Sequence, residues 1–185
     1  MKRRLSILAI TTTALAVIGL SMALGASAKN DQLTIVHALT AKYQSVAAAK
    51  KAGYAPFYVC TEQPGVGTMG QHFVKGSLVP DGVADPTQPE ALVYEPTANG
   101  GYKLVALEWV IPSFGTPRSA PPPTVFGINM NWRPGAENTE GLEPNRFGLP
   151  NFYELHYWLY KSNPLGTFND WNPDVSCRGQ GDNGG

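Results

Sequence analysis

Charge is scarce in this chain. Only 15% of its 185 residues are Asp, Glu, Lys or Arg, and 14 basic residues offset 14 acidic ones. No Lys/Arg cluster occurs beyond the first four residues, which excludes an electrostatic nucleic-acid binder. No sustained heptad run is present, so a coiled coil is out. An apolar fraction of 43% with 10% aromatics excludes a disordered chain. Common catalytic signatures are missing too: there is no G-x-S-x-G elbow and no H-x-H or H-E-x-x-H spacing. Gly65-Val66-Gly67-Thr68-Met69-Gly70 has the glycines of a dinucleotide fingerprint, but it precedes a strand pattern rather than a helix and is set aside.

The one long apolar run lies at the start. Lys2, Arg3 and Arg4 are followed by the uncharged stretch Leu5 to Leu24 and by Ala26-Ser27-Ala28, the small-x-small pattern of a signal-peptidase site. Residues 1–28 therefore read as a signal peptide, with secretion or periplasmic residence as the expected location. The competing reading is an uncleaved membrane anchor. Cleavage after Ala28 leaves 11 basic against 14 acidic residues and no membrane-binding segment. Two cysteines remain, Cys60 and Cys177, and in an oxidising compartment an even pair reads as a disulfide. A pair of thiol metal ligands is the alternative, with a spacing that matches no zinc site.

What the chain has in quantity is turn residues: 16 prolines and 20 glycines. Such content in an aromatic, apolar chain suggests short strands joined by many turns. Asp31 to Ala52 reads as a helix, with Val36, Leu39, Tyr43 and Val46 at helical spacing and Gly53 as its stop. Strand patterns follow at 57–61, 69–74, 91–95, 102–111, 125–130 and 153–160, the third and fourth joined around Asn99-Gly100-Gly101. Five prolines between Pro112 and Pro123 make that segment irregular. The fold expected is α+β: an N-terminal helix packed on a mainly antiparallel, curved or barrel-like sheet, loop-rich, with one disulfide. Residues 29–177 form a single globular domain, and 178–185 are a Gly-rich disordered tail.

Two of the three histidines fall inside strand patterns. Alternation places Glu154, His156, Trp158 and Tyr160 on one face of the last strand, away from the more apolar face. In the 102–111 run, Leu104, Ala106, Glu108 and Val110 share a face. A lone carboxylate in so apolar a run needs a partner or an ion. His72 sits in a similar setting beside Gly70. His72, Glu108 and His156 together suit a 2-His-1-carboxylate site for a divalent transition metal, with Glu95 as a fourth ligand. The bland alternative pairs Glu108 with a histidine or with an arginine (Arg118, Arg133 or Arg146) and makes His156 a structural hydrogen-bonder. Asp81 and Asp85 suggest calcium only faintly, because their spacing fits no EF-hand. Trp158, Tyr160, Phe168 and Trp171 are candidates for an aromatic ligand platform, or simply for the core.

Several motifs also carry a resemblance. Met69-Gly70-Gln71-His72-Phe73, Pro89 to Pro96 (PEALVYEP), Leu155-His156-Tyr157-Trp158-Leu159 and Trp171 to Cys177 (WNPDVSC) run through most of the chain. The series resembles a group of small exported bacterial proteins of unknown function, and it implies export and a single domain. The functional expectation is a secreted or periplasmic protein with a His/Glu divalent-metal or small-ligand site. The alternative is a non-catalytic extracytoplasmic binding or structural module, whose aromatics and Pro-rich segment 112–123 contact a small ligand or protein partner. Whether the chain is an enzyme is left open by the sequence.

Overall fold

The computed structural model describes residues 30–113, 118 and 121–180. The signal-peptide reading of residues 1–28 lies outside the described residues. The chain enters through helix α1 (residues 30–40), a 3-10 turn over Ala41–Gln44 and helix α2 (Val46–Lys51). The expected helix is thus interrupted at Ser45. Its backbone is extended and its side-chain oxygen accepts a hydrogen bond from the Ala48 N–H at 3.3 Å, so a fresh N-cap restarts the helix there. Val36 and Thr40 face inward with Leu33 and Tyr43 beside them, whereas Leu39 stays exposed. The Thr40 hydroxyl lies 2.8 Å from the Tyr160 hydroxyl, and the Tyr94 hydroxyl donates to the Tyr43 carbonyl at 2.6 Å, which fastens the helical segment to the sheet. His37 is exposed and packs its ring against Tyr160.

The sheet is antiparallel throughout and has six strands in the order β1-β2-β3-β4-β8-β7, curled into a half-barrel. Its strands are β1 (Ala55–Gln63), β2 (Gly67–Val74), β3 (Ala91–Pro96), β4 (Tyr102–Pro112), β7 (Asn131–Arg133) and β8 (Phe152–Tyr157). A separate two-stranded ribbon, β5 (Thr124–Val125) with β6 (Ile128–Asn129), turns through Phe126 and Gly127. Aromatic and branched residues at alternate positions give one face almost wholly to the main core: Phe73, Leu92, Tyr94, Leu107, Trp109, Leu155 and Tyr157 are buried there with Val36, Ala49 and Tyr54. Each such large side chain contributes roughly 1.5–3 kcal/mol by leaving water.

Between β3 and β4 the alternation slips once. Val93 faces Ala106 but Tyr94 faces Leu104, so Val105 is an extra residue in β4. The bulge puts Leu104 into the main core with Leu107, while Val105 and Ala106 both join Val93, Trp158 and Val175 in a second cluster. Strict alternation had placed Leu104 beside Glu108. Gly70, with φ of +108°, allows the tight approach of β2 here, because a Cβ on it would lie 2.8 Å from a Val93 methyl carbon.

Cys60 and Cys177 form a disulfide spanning 117 residues. It closes β1 against the C-terminal segment, and it suggests an oxidising, extracytoplasmic setting. Among the described residues no helix is long and apolar enough to cross a membrane. The segment expected to be disordered from Arg178 onward is ordered as a 3-10 turn through Gln180, and residues 181–185 lie outside the described residues. The order has a cause in hydrogen bonding. The Gln180 side chain accepts from the Cys60 N–H at 2.9 Å and donates to the Gln71 side chain. Gln71 in turn donates to the carbonyls of Phe57, Tyr58 and His72, bridging the stretch where β1 loses register with β2.

Glu90 is another buried polar group with a structural task. β4 runs past the first residue of β3, and the Glu90 carboxylate accepts from the otherwise unpaired Val110 N–H at 3.0 Å. Burial pushes its acid up to about 8. The native state therefore holds this proton more tightly than the unfolded chain does. The stabilisation is complete below about pH 4.5 and is lost as pH rises through about 8. Denaturant titrations from pH 5 to 8.5 should show Glu90→Gln losing less stability than the parent over that range, by up to about 4 kcal/mol. Separately, replacing both cysteines by serine should lower unfolding free energy by about 4 kcal/mol in the same assay.

Candidate metal centre

The second face of the sheet carries the polar residues. Across the strands the register lines up Val74, Ala91, Glu108 and His156 in one row, and His72, Val93 and Ala106 in the next. Glu108 and His156 are therefore direct cross-strand neighbours. His72 is not on a neighbouring strand: β3 lies between β2 and β4. Its imidazole meets the Glu108 carboxyl over the methyl group of Ala91, which is fully buried and too small to separate them.

The three side chains converge closely. His72 Nε2 lies 3.3 Å from one Glu108 oxygen, and His156 Nδ1 lies 3.4 Å from the other. One donor atom from each can be chosen so that all lie within 4.8 Å of one another. The two imidazole rings stand perpendicular, with centroids 5.4 Å apart, and Trp158 stacks on His156 at 5.8 Å. His156 is 0% exposed, and neither of its ring nitrogens has a hydrogen-bond partner among the described residues.

Although the histidine–carboxyl distances are those of ion pairs, the energetics favour uncharged groups. Burial pushes both imidazoles down to about 3, the neighbouring His156 adding to the effect on His72 and Arg133 to that on His156. Burial likewise raises the Glu108 acid well above the ordinary carboxylate range, with the nearby Glu154 and Asp170 adding to it. Neutral imidazoles are the form that binds a metal ion.

Behind the cluster stands a charged network. Glu154 hydrogen-bonds to Glu108, and the Arg133 guanidinium bridges Glu154 and Asp170. Glu154 is pushed up to about 7 by burial, a shift that Arg133 opposes. Glu154 shares the His156 face because it precedes it by two residues, so alternation alone located it. Asp170 comes from a loop and has no local pattern to announce it. Arg133 had been weighed as a partner for Glu108, but it engages these two carboxylates instead.

The other candidate residues are elsewhere. Glu95 does not join the cluster: its carboxylate takes the Lys161 ammonium at 2.8 and 3.0 Å and the Ser176 N–H at 3.2 Å. Arg118 pairs with Glu140, and Arg146 lies over Trp171. Asp81 and Asp85 accept hydrogen bonds from the backbone N–H groups of Val83 and Thr87, as turn-forming aspartates do. Of the aromatics, Trp158 is buried with its indole N–H on the Asn169 carbonyl, Phe168 stacks on Tyr157, and Tyr160 holds α1. They serve packing in separate places. The disulfide removes Cys60 and Cys177 as metal ligands.

A cavity of about 330 Å³ opens beside the cluster, with His72, Glu108 and Glu154 on its polar side. Its remaining wall is apolar and includes Phe57, Val110, Phe147 and Phe152.

Removing the shared cation tests the network. Arg133→Met leaves Glu154 and Asp170 facing each other without compensation and should destabilise the fold by about 2–4 kcal/mol in denaturant titration. No protein-family model, curated protein or solved structure matches this chain, so the chemistry of the centre rests on its own geometry.

Proposed function

We propose that the chain is an extracytoplasmic protein holding a single divalent transition-metal ion between His72, Glu108 and His156. The observation that carries this reading is His156, a fully buried imidazole with no hydrogen-bond partner at either nitrogen among the described residues, 3.4 Å from a buried carboxyl. Buried polar atoms in native proteins are nearly always satisfied, and an ion bound at this point supplies a partner to His156 and a counter-charge to Glu108. Two imidazoles and one carboxylate suit zinc, iron, manganese or nickel rather than magnesium or calcium. Three protein ligands are one fewer than a closed structural zinc site has, leaving a position for water or a small molecule on the cavity side. Glu154 and Arg133 then take the part of outer groups that orient a ligating carboxylate. An N-terminal export signal, the disulfide and the resemblance to small exported bacterial proteins support the extracytoplasmic setting.

Metal content is the direct test, measured on protein exported with its own leader and purified without chelator or histidine tag. The expected result is near one equivalent of a transition metal, reduced by about a hundred-fold or more in affinity in His72→Ala and in His156→Ala. Adding the metal at about 100 times its Kd should raise the unfolding free energy of the parent by about 2.7 kcal/mol and that of either variant by no more than about 0.4 kcal/mol. No bound metal, and no binding on titration with zinc, manganese, iron, nickel or cobalt, sinks the reading. Ala91→Leu gives a subtler check: it inserts bulk between His72 and Glu108 and should weaken metal binding without touching a ligand.

A further inference from the structure

The cavity beside the cluster has a composition that narrows what it can hold. Its walls include three phenylalanines, Phe57, Phe147 and Phe152, and further apolar residues, among them Val74, Val110 and Leu149. These residues come from β1, β2, β4 and β8 and from the segment between β7 and β8, so the space is built by the fold as a whole. Phe147 is itself held: Tyr58 packs edge-on against it at 5.4 Å, and His72 lies 6.4 Å from it on the other side. A volume of about 330 Å³ is roughly twice that of an engineered apolar cavity that takes up one benzene molecule. It is also at the lower end of the range found for small-molecule sites.

Charge sets the second limit. The groups around the polar end are Glu108, Glu154 and Asp170, the Arg133 guanidinium and the two imidazoles. The Arg133 guanidinium is already engaged by Glu154 and Asp170, which it bridges. Among the described residues neither Lys nor Arg lines the cavity. An anionic head group entering this space therefore faces the carboxyl groups of Glu108 and Glu154 with no Lys or Arg on the described walls, and burying it there is unfavourable. A neutral oxygen donor carries no such penalty and can fill the fourth metal position.

We infer that the cavity binds a neutral aromatic molecule of one or two rings, its single oxygen-bearing head group directed to the metal and its ring among Phe57, Phe147 and Phe152. This deepens the metal-centre reading and rests on it for the head-group preference. No covalent step is required: the ligand is bound and released unchanged.

The test uses 2-naphthol as probe, with 2-naphthoate as its anionic counterpart, on the full mature protein loaded with zinc. Metal content is measured on every sample, so the two readings are separated. The expected outcome is saturable naphthol binding, at least about ten-fold tighter than naphthoate, and weakened by about the same factor when zinc is stripped. Val110→Phe and, independently, Leu149→Trp fill the cavity from a strand and from a loop. At least one of them should keep its zinc and lose naphthol. Zinc-loaded protein that ignores naphthol, binds naphthoate equally well, or binds naphthol unchanged in zinc-loaded filled variants overturns this inference while the metal centre stands. A protein that takes up no metal overturns both.

Discussion

A carboxyl group in the middle of an apolar strand must be provided for, and much of this fold is arranged around Glu108. The residue is 4% exposed in a strand stretch, 104–111, otherwise made of Leu, Val, Ala, Trp and Ile. β8 places His156 directly opposite it, β2 sends His72 across the small Ala91, and Glu154 with Arg133 and Asp170 brings further polar partners from the sheet edge. None of these groups is stable in isolation at this depth. Each is acceptable only because the others are present.

The two faces of the sheet divide the work. One buries Phe73, Trp109, Leu155 and their neighbours under the helical segment and the β5–β6 ribbon, supplying the stabilisation. The other accepts the unfavourable burial of two imidazoles and several carboxyls around a cavity. A half-barrel suits this division, since curling draws residues of non-adjacent strands together on one side. That is how His72 and Glu108 meet with a whole strand between them.

Much of this arrangement could be read from residue patterns, and the rest could not for definable reasons. Alternation in 102–111 and 153–160 exposed Glu108 and His156 as polar residues in apolar surroundings, and the 2-His-1-carboxylate set followed. Glu95 misled because it obeys the same alternation. Its exclusion depends on Lys161, which reaches it from a turn that no strand pattern foretells. The bulge at Val105 was hidden because Leu, Val and Ala are equally acceptable on either face. The restart of the helix at Ser45 was hidden by a good helical spacing of apolar residues on both sides. The ordering of Arg178–Gln180 came from two side-chain amides, Gln71 and Gln180, that lie 109 residues apart.

Those amides have a consequence for how the molecule is completed. A chain is made from its N-terminus, so β1 is produced early. Yet the irregular part of β1, where Tyr58 takes a left-handed backbone with φ of 57°, is held by Gln71, Gln180 and the bond from Cys60 to Cys177. The first strand is thus the last to be finished. The rim formed by Phe57 and Tyr58 is completed only when the turn Arg178–Gln180 is in place. Truncation ahead of Gln180 would consequently be felt far away in the sequence, on the wall beside His72. The terminus acts as a latch on the beginning.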